Sequence, residues 1–309
     1  METLFTKKSF TLIEILVVIV VIGVLSAFIL VGMSSITSSA NITRGKAFVN
    51  SLDNSLLLAR VSQWKFDESS IPTAYDSWGT NNGTLKENGY AGVCDITHCP
   101  QIQTTGCASN NCLLFDGTND YVEVAAFDYA GTNDFTIGSW VNWSGWGGGN
   151  IAPIYYYAVS SHTLAIEIGM TSTGKFTWHI TKPSNTIRRQ RTTNISVPKN
   201  VWKYVIITKT GDNDVKAYID GIENTSREDT AANTLENDGT VIGRQLSTSF
   251  PDYLAGKIDD VRIYNQAMPT SQINQNYYSG LSNLLVNNSL ERAEYIERLS
   301  QLKSNLSEY

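Results

Sequence analysis

The chain has 309 residues, 42% of them apolar, with 23 Lys and Arg against 29 Asp and Glu, a net charge of -6. That length and apolar content allow one large domain or two ordinary ones around a sizeable core, and exclude general disorder. A pI near 5.1 without clustered Lys and Arg argues against nucleic-acid binding, which needs positive charge to neutralise phosphates. Abundant Asn, Thr, Ser, Gly and aromatics at only 17% charge favour short strands and polar turns, so the bulk reads as mainly β.

The first element in the chain is METLFTKKSFTLIEILVVIVVIGVLSAFIL. From Ile15 to Met33 nineteen residues carry no charge, and the next charged side chain after Glu14 is Arg44. About 20 apolar residues cross a ~30 Å hydrocarbon core as a transmembrane helix. A secretory signal peptide has a shorter apolar stretch, about 7–15 residues, before a small-residue cleavage site. Lys7 and Lys8 precede the run and nothing basic follows closely. The positive-inside bias therefore puts the N-terminus in the cytoplasm and the chain beyond about Ser34 outside, as in a single-pass inner-membrane protein with an exported head.

Glu14 is the anomaly in this run. A carboxylate costs roughly 2.5–3.5 kcal/mol at the bilayer centre and less at the margin, so an acid there calls for a partner or a role. The surrounding stretch KKSFTLIE resembles the leader of type IV prepilins and pseudopilins. The resemblance implies that a prepilin peptidase cuts between Ser9 and Phe10 and that the new amine on Phe10 is methylated. It also implies that Glu14 pairs with the α-amine of a neighbouring pilin or pseudopilin subunit during assembly. Such an amine, with a pKa near ~7.7–8.0, is largely protonated at neutral pH and keeps its charge on methylation, and two charges in lipid are tolerated as a pair. The family usually has Gly before the cut and often a proline midway along the helix, where this chain has Ser9 and Val31. A plain uncleaved anchor is the alternative.

No proline occurs before Pro72, and Phe48, Leu52, Leu56 and Ala59 share one helical face, which predicts a membrane-and-stalk helix from Phe10 to about Arg60. At 1.5 Å per residue it is a rod of roughly 75 Å. From Val61 the pattern changes to short alternating segments between turn signals, as in a β-sandwich. FTIGSWVNW (Phe135–Trp143) is one, VWKYVIITK (Val201–Lys209) and VKAYIDG (Val215–Gly221) form a hairpin, and KIDDVRIYN (Lys257–Asn265) is a late strand.

Three motifs in order are similar to those of the LamG-like, concanavalin A-like lectin/glucanase family. The opening is Trp64, Phe66, Asp67 and Glu68, then Asp76, Ser77, Gly79, Asn82, Gly83 and Thr84. The centre is Phe115, Asp116, Gly117, Asp120, Tyr121, Val122 and Val124, and the ending runs from Gly256 to Tyr264. The resemblance covers about residues 62–270 and implies a concanavalin A-like β-sandwich, or jelly roll. Because such folds host sugar binding, adhesion and catalysis, activity has to be argued from a site.

Glucanases of this architecture carry E-x-D-x-x-E on one strand, placing two carboxylates about 5–5.5 Å apart. The nearest fragment here, ENDGTV from Glu236, lacks the second Glu, and His98, His162 and His179 are isolated in the sequence. No catalytic set is expected, and His179 reads as a strand residue. Binding is the expected class. NWSGWGGGNIAPIYYY offers Trp143, Trp146, Tyr155, Tyr156 and Tyr157 as aromatic faces for a sugar, although in an alternating strand half of them must face the core. The resemblance further implies a structural Ca²⁺ near the paired N- and C-terminal strands, with Asp67, Asp76 and Asp259 as its oxygen ligands.

Cys94, Cys99, Cys107 and Cys112 lie between the first two motifs. Export favours disulfides over a zinc site with His98, and three pairings are open. After Leu281 the apolar residues Leu284, Leu285, Leu290, Ile296, Leu299, Leu302 and Leu306, with Asn288 and Glu291 as a capping pair, predict an amphipathic helix over 289–306. Ser271–Asn276 reads as a shorter helical turn. The domain plan is a leader at 1–9, a transmembrane and stalk helix at 10–60, the sandwich at 62–270 and a helical tail at 271–309.

The functional expectation is a minor pilin that displays a lectin-like head from a cell-surface pilus for adhesion or glycan binding. The alternatives are a pseudopilin of a type II secretion or DNA-uptake machine and a non-polymerising anchored binding protein. The expected partners are prepilin peptidase, sister subunits, membrane lipid and a glycan or other surface ligand.

Overall fold

The computed structural model describes Leu16, Ile19 and residues 59–307, apart from 93, 96, 126, 128–133, 147–150, 160–163, 183–184, 212–213, 226–229, 233–238 and 247–251. The chain divides into two compact units, Met1–Asp53 and Asn54–Tyr309. In the first, Leu16 and Ile19 are helical and exposed. The readings made for Ser9, Phe10, Glu14 and the membrane segment lie outside the described residues. Among the described residues no helix is long and apolar enough to cross a membrane.

The second unit is a two-sheet β-sandwich with two C-terminal helices. Its first strands are β1 (Arg60–Trp64), β2 (Thr73–Ala74), β3 (Gly83–Glu87), β4 (Gln101–Gln103), β5 (Cys112–Asp116) and β6 (Asp120–Val124). The long central strands are β7 (Phe135–Trp146), β8 (Ile151–Val159), β9 (Leu164–Thr171), β10 (Lys175–Lys182), β11 (Asn185–Ser196) and β12 (Lys203–Thr210). Then come β13 (Asp214–Ile219), β14 (Ile222–Glu223), β15 (Thr230–Ala232), β16 (Gly239–Ile242) and β17 (Leu254–Tyr264), followed by α1 (Thr270–Val286) and α2 (Arg292–Ser307). One sheet has the order β14-β13-β12-β7-β17-β5-β4, with β1 also on β17; the other runs β15-β11-β10-β9-β8-β16-β6-β3-β2.

Alternation along each strand explains the layers, because successive side chains leave opposite faces of a sheet. On β9, Ile166, Ile168 and Met170 enter the shared core with Trp64, Phe115, Ile137, Tyr155, Trp178 and Ile207, while Glu167 between them points to the opposite face. The expected hairpin is present, with Lys209 opposite Val215 and Val205 opposite Ile219. Arg60, the expected end of the stalk helix, is instead the first residue of β1 and pairs with Tyr264, and the rest of that expected helix, apart from Leu16, Ile19 and Ala59, lies outside the described residues.

β17 changes partner midway along its length. Leu113–Asp116 of β5 face its first half, Ile258 to Ala255, and β1 faces its second half, with Trp64 opposite Val261. Between them the ladder to β7 shifts register after Asp259, and Asp260 takes a left-handed φ of 52°. A bulge of this kind re-aims the side chains at a strand junction, and here it separates the two neighbouring acids.

The tail differs from its expected layout. The short turn expected at Ser271–Asn276 is the start of a 17-residue helix, because Ile273, Tyr277, Leu281 and Leu284 lie on one face and are buried. They pack on Trp140, Tyr204, Ile206, Tyr218 and Tyr264 of the first sheet, together with Tyr295 and Leu302 of α2. Each such side chain contributes roughly 1.5–3 kcal/mol on burial, which holds helices that would be marginal alone at this length. Asn288, expected to cap the second helix, instead closes the first from a left-handed φ of 54°, with its N–H on the Leu285 carbonyl at 3.2 Å.

Candidate functional site

The opening and ending motifs meet because β1 pairs with β17. Two residues beyond Trp64 the chain passes through Phe66, a bulky residue held at φ 56° and fully buried, and then presents Asp67 at the surface. Such a conformation is costly for a non-glycine residue and persists only where packing over-determines it.

A short covalent loop lies beside Asp67. The cysteines pair as Cys94–Cys99 and Cys107–Cys112, each with Cα atoms 5.5 Å apart, so of the three pairings the structure has the two small loops. The second loop holds Asp67: the Asn111 N–H donates to its Oδ1 at 3.1 Å and Asn110 Nδ2 to its Oδ2 at 3.2 Å. Asn111 Nδ2 also donates to the Asp67 carbonyl at 3.3 Å and the Glu68 carbonyl at 3.2 Å. From the other side the Ser109 N–H donates to Asp259 Oδ2 at 2.7 Å.

Asp259 is completely buried, and its Oδ1 has no hydrogen-bond partner. Burial pushes its carboxyl well above the usual carboxylate range, and the neighbouring Asp260 and Asp67 add to this, against the opposing N–H dipoles of Ser109 and Ala108. Asp260 behaves differently. Burial raises it too, but the Arg262 guanidinium, at 2.7 Å, and Gln63 Nε2, at 2.7 Å, outweigh burial and hold it below its ordinary value.

Asp76 does not join this pair, which corrects the expected trio. Its Oδ1 accepts the N–H groups of Gln63, Trp78 and Gly79 at 2.9, 3.1 and 2.9 Å, and its Oδ2 accepts that of Asn81 at 3.1 Å. Burial raises this carboxyl, and the four donors more than reverse the effect. A carboxylate saturated by backbone donors organises its own loop and has little left for a cation. Among the described residues no three His, Cys, Asp or Glu side chains converge on a metal position. Of the two other acids, Asp67 accepts an N–H on each of its oxygens, and Asp259 keeps one buried oxygen without a hydrogen-bond partner.

Four residues of the expected aromatic platform are buried, and the side chain of the fifth, Trp146, lies outside what the structure describes. Trp143 lies in β7 at 1% exposure, donating from Nε1 to the Val197 carbonyl at 3.2 Å. Tyr155, Tyr156 and Tyr157 on β8 are all at 0%. Tyr155 and Tyr157 enter the main core, whereas Tyr156 packs on the far face with Ala158, Ala165, Val241 and Leu246. Trp146 ends β7 opposite Leu254. The exposed aromatics among the described residues are instead Tyr75, at 57%, and Trp78, at 40%. The Trp78 Nε1 donates to the Arg60 carbonyl at 2.9 Å, and the Arg60 guanidinium lies 4.9 Å from its ring centre. Its place in DSWGTNN, two residues after the acid that organises that turn, was the sequence signal for a rigidly held, outward ring.

A second pairing was invisible in linear sequence. His179 and Glu167 face each other across β10 and β9, with Nδ1 2.9 Å from Oε2 and both side chains buried. Gln245 Nε2 also donates to that oxygen at 3.3 Å. His179 is thus a strand residue, as expected, but not an isolated one. The group facing Glu167 is an imidazole, not the second carboxylate that glycoside hydrolysis uses.

Two antiparallel sheets with this motif order define a lectin-like β-sandwich. Residues 116–274, half of the chain, match the model described as the concanavalin A-like lectin/glucanases superfamily, and the chain belongs to that superfamily. Residues 5–30 match the prokaryotic N-terminal methylation motif. No curated protein matches the sequence. Among solved structures, the chain is similar to domain 4 of a GH43 extracellular arabinanase from Geobacillus stearothermophilus, in complex with arabinotriose, at TM-score 0.49 and 17% identity, covering 70% of this chain and 97% of that one. It is similar to the botulinum neurotoxin serotype D binding domain at TM-score 0.50 and 13% identity, covering 74% and 52%. A Trypanosoma rangeli sialidase in complex with difluorosialic acid follows at TM-score 0.50 and 12% identity, covering 71% and 32%. The chain therefore spans about half of the toxin domain and a third of the sialidase, and at such identities the likeness concerns the fold alone.

Proposed function

We propose that this chain is a type IV pilin-like subunit, anchored in the inner membrane before assembly, whose lectin-like head is displayed on a surface filament to bind glycan. One observation carries the reading: an N-terminal methylation motif and a concanavalin A-like sandwich lie on the same chain. The first supplies processing by a prepilin peptidase and a route to assembly with other pilins, and the second a head of a fold that hosts sugar recognition. The head's role is binding, not catalysis. Because α1 and α2 cover the outer face of the first sheet, the sugar contact falls elsewhere, and the exposed rings of Tyr75 and Trp78 are its stacking faces. A structural Ca²⁺ at Asp67 and Asp259 forms no part of the proposal, because N–H donors already occupy both Asp67 oxygens and one Asp259 oxygen.

Two measurements test the reading. Intact-mass analysis of the native protein is expected to find a chain starting at methylated Phe10; a mature chain still beginning at Met1 overturns the pilin assignment. A glycan array probed with the detergent-solubilised full chain is expected to give defined hits. Trp78→Ala should weaken them about tenfold, the loss of one stacking contact worth roughly 1.5 kcal/mol. An array with no hits removes the glycan assignment.

A further inference from the structure

Resting on the glycan reading above, we propose that Arg244 forms a carboxylate subsite at the outer face of the second sheet, so that the head selects acidic sugars over neutral ones. Arg244 follows β16 and its backbone is pinned on both sides. The Gly243 N–H donates to the Ile154 carbonyl at 3.1 Å and the Gln245 N–H to the Asp252 carbonyl at 3.0 Å, while Arg244 itself bridges to Tyr253. Its half-buried side chain places the guanidinium 4.8 Å from the Tyr121 ring centre and 5.5 Å from that of Tyr253. Aromatic faces hold a guanidinium through its charge and leave its N–H donors unspent.

The head's other sheltered arginines are spent on acids: Arg262 on Asp260 at 2.7 Å and Arg298 on Glu294 at 2.5 Å. Among the described residues no Asp or Glu pairs with Arg244. Its Nε is buried without a hydrogen-bond partner, so an acceptor reaches it through the terminal nitrogens. The acids of the adjoining β5–β6 turn are taken by other donors. Asp116 Oδ1 accepts the Thr118 and Asn119 N–H groups at 2.7 and 3.2 Å, and Asp120 Oδ2 accepts the Asp116 N–H at 3.1 Å. Glu87 is held by Asn119 Nδ2 at 2.8 Å and the Cys99 N–H at 3.3 Å. A second cation borders the same ring. Lys86 lies opposite Tyr121 in the ladder, and with Leu85 and Val122 in the core, alternation puts both on the outer face. Lys86 meets only Glu123 at 3.2 Å, with both side chains open to solvent, a weak ion pair that an incoming anion can replace. A planar carboxylate accepts two parallel N–H bonds from the guanidinium, whereas a sugar hydroxyl leaves its charge uncompensated.

The test uses the full chain in detergent on a glycan array that carries neutral oligosaccharides and, for each acidic one, its carboxyl methyl ester beside it. Wild type is expected to bind acidic members and to bind their esters at least tenfold more weakly, the loss of a charge-assisted pair. Arg244→Gln should bind acid and ester alike. If Arg244→Gln does not fold, Arg244→Met, whose unbranched stem stays between the rings, carries the same expectation. Hits confined to neutral glycans, acidic hits unchanged by esterification, or a tenfold preference retained in the Arg244 variant overturn the subsite and leave the glycan reading standing. An array without hits overturns both.

Discussion

Asp76 and Asp120 are both acids of turn motifs, yet their surroundings drive their proton affinities in opposite directions. Asp76 gathers four backbone N–H donors and is held below its ordinary range. Asp120 is pushed up to about 7, first by burial and then by Asp116 and Glu87, with the Asp116 N–H its opposing donor. The folded state therefore holds a proton on Asp120 that the unfolded chain releases near pH ~4. A raised carboxylate binds more protons folded than unfolded, so its contribution to stability falls as pH rises from about 4 to about 7. Asp120→Asn, which keeps a neutral side chain at every pH, is expected to raise the melting temperature at pH 8 relative to wild type and to leave it unchanged near pH 4. Solvent screening limits the gain, and an increase of roughly 2–4 °C corresponds to 1 kcal/mol for a domain of this size. Thermal unfolding of both proteins from pH 4 to 8 provides the check, and parallel curves would show that Asp120 does not titrate in this window.

At the scale of elements, α1 lies on the first sheet through a glycine. A Cβ at Gly280 would sit inside the Trp140 indole, whose ring stacks on Tyr277 with centroids 5.8 Å apart. Alanine normally favours a helix over glycine by about 1 kcal/mol, but overpacking costs typically 1–3 kcal/mol, and a ring wedged between two helical turns has little room to yield. Gly280→Ala is therefore expected to destabilise the head by about 1–2 kcal/mol in denaturant unfolding and to alter the Trp near-ultraviolet signal, whereas a stabilised variant would mean that the helix can slide. Sequence periodicity was enough to read β7, β12, β13 and β17, because apolar alternation bounded by Gly and Asn turns is a local property. What covers a face is not local, and that is where the reading missed. Alternation placed half of Trp143 and Tyr155–Tyr157 inward, but Tyr156, which does leave the core, is buried by Val241 and Leu246. The same limit hid the His179–Glu167 pair, which exists only once β9 and β10 are in register. The pairing of the opening and ending motifs was legible because they lead into strands expected to pair, while Asp76 is satisfied within its own turn.

For the whole molecule, the proposed function separates two tasks that different residues perform. In the proposed function the N-terminal motif serves assembly, and Glu14 is proposed to act there as a carboxylate that in lipid needs the charged amine of another copy. The head governs recognition through groups far along the chain. Single heads with one or two exposed rings bind sugars weakly, and a filament repeats the head so that avidity exceeds single-site affinity by about 10²–10⁴. Glu14→Ala is therefore expected to abolish surface filaments and cell adhesion while leaving the detergent-extracted chain with the wild-type pattern on a glycan array. Glu14→Asp, which keeps the charge on a shorter side chain, should restore part of the assembly. If Glu14→Ala cells still display filaments, the acid is not a subunit-to-subunit counter-ion. If they lose filaments yet adhere as wild type does, the head acts from the membrane without polymerising.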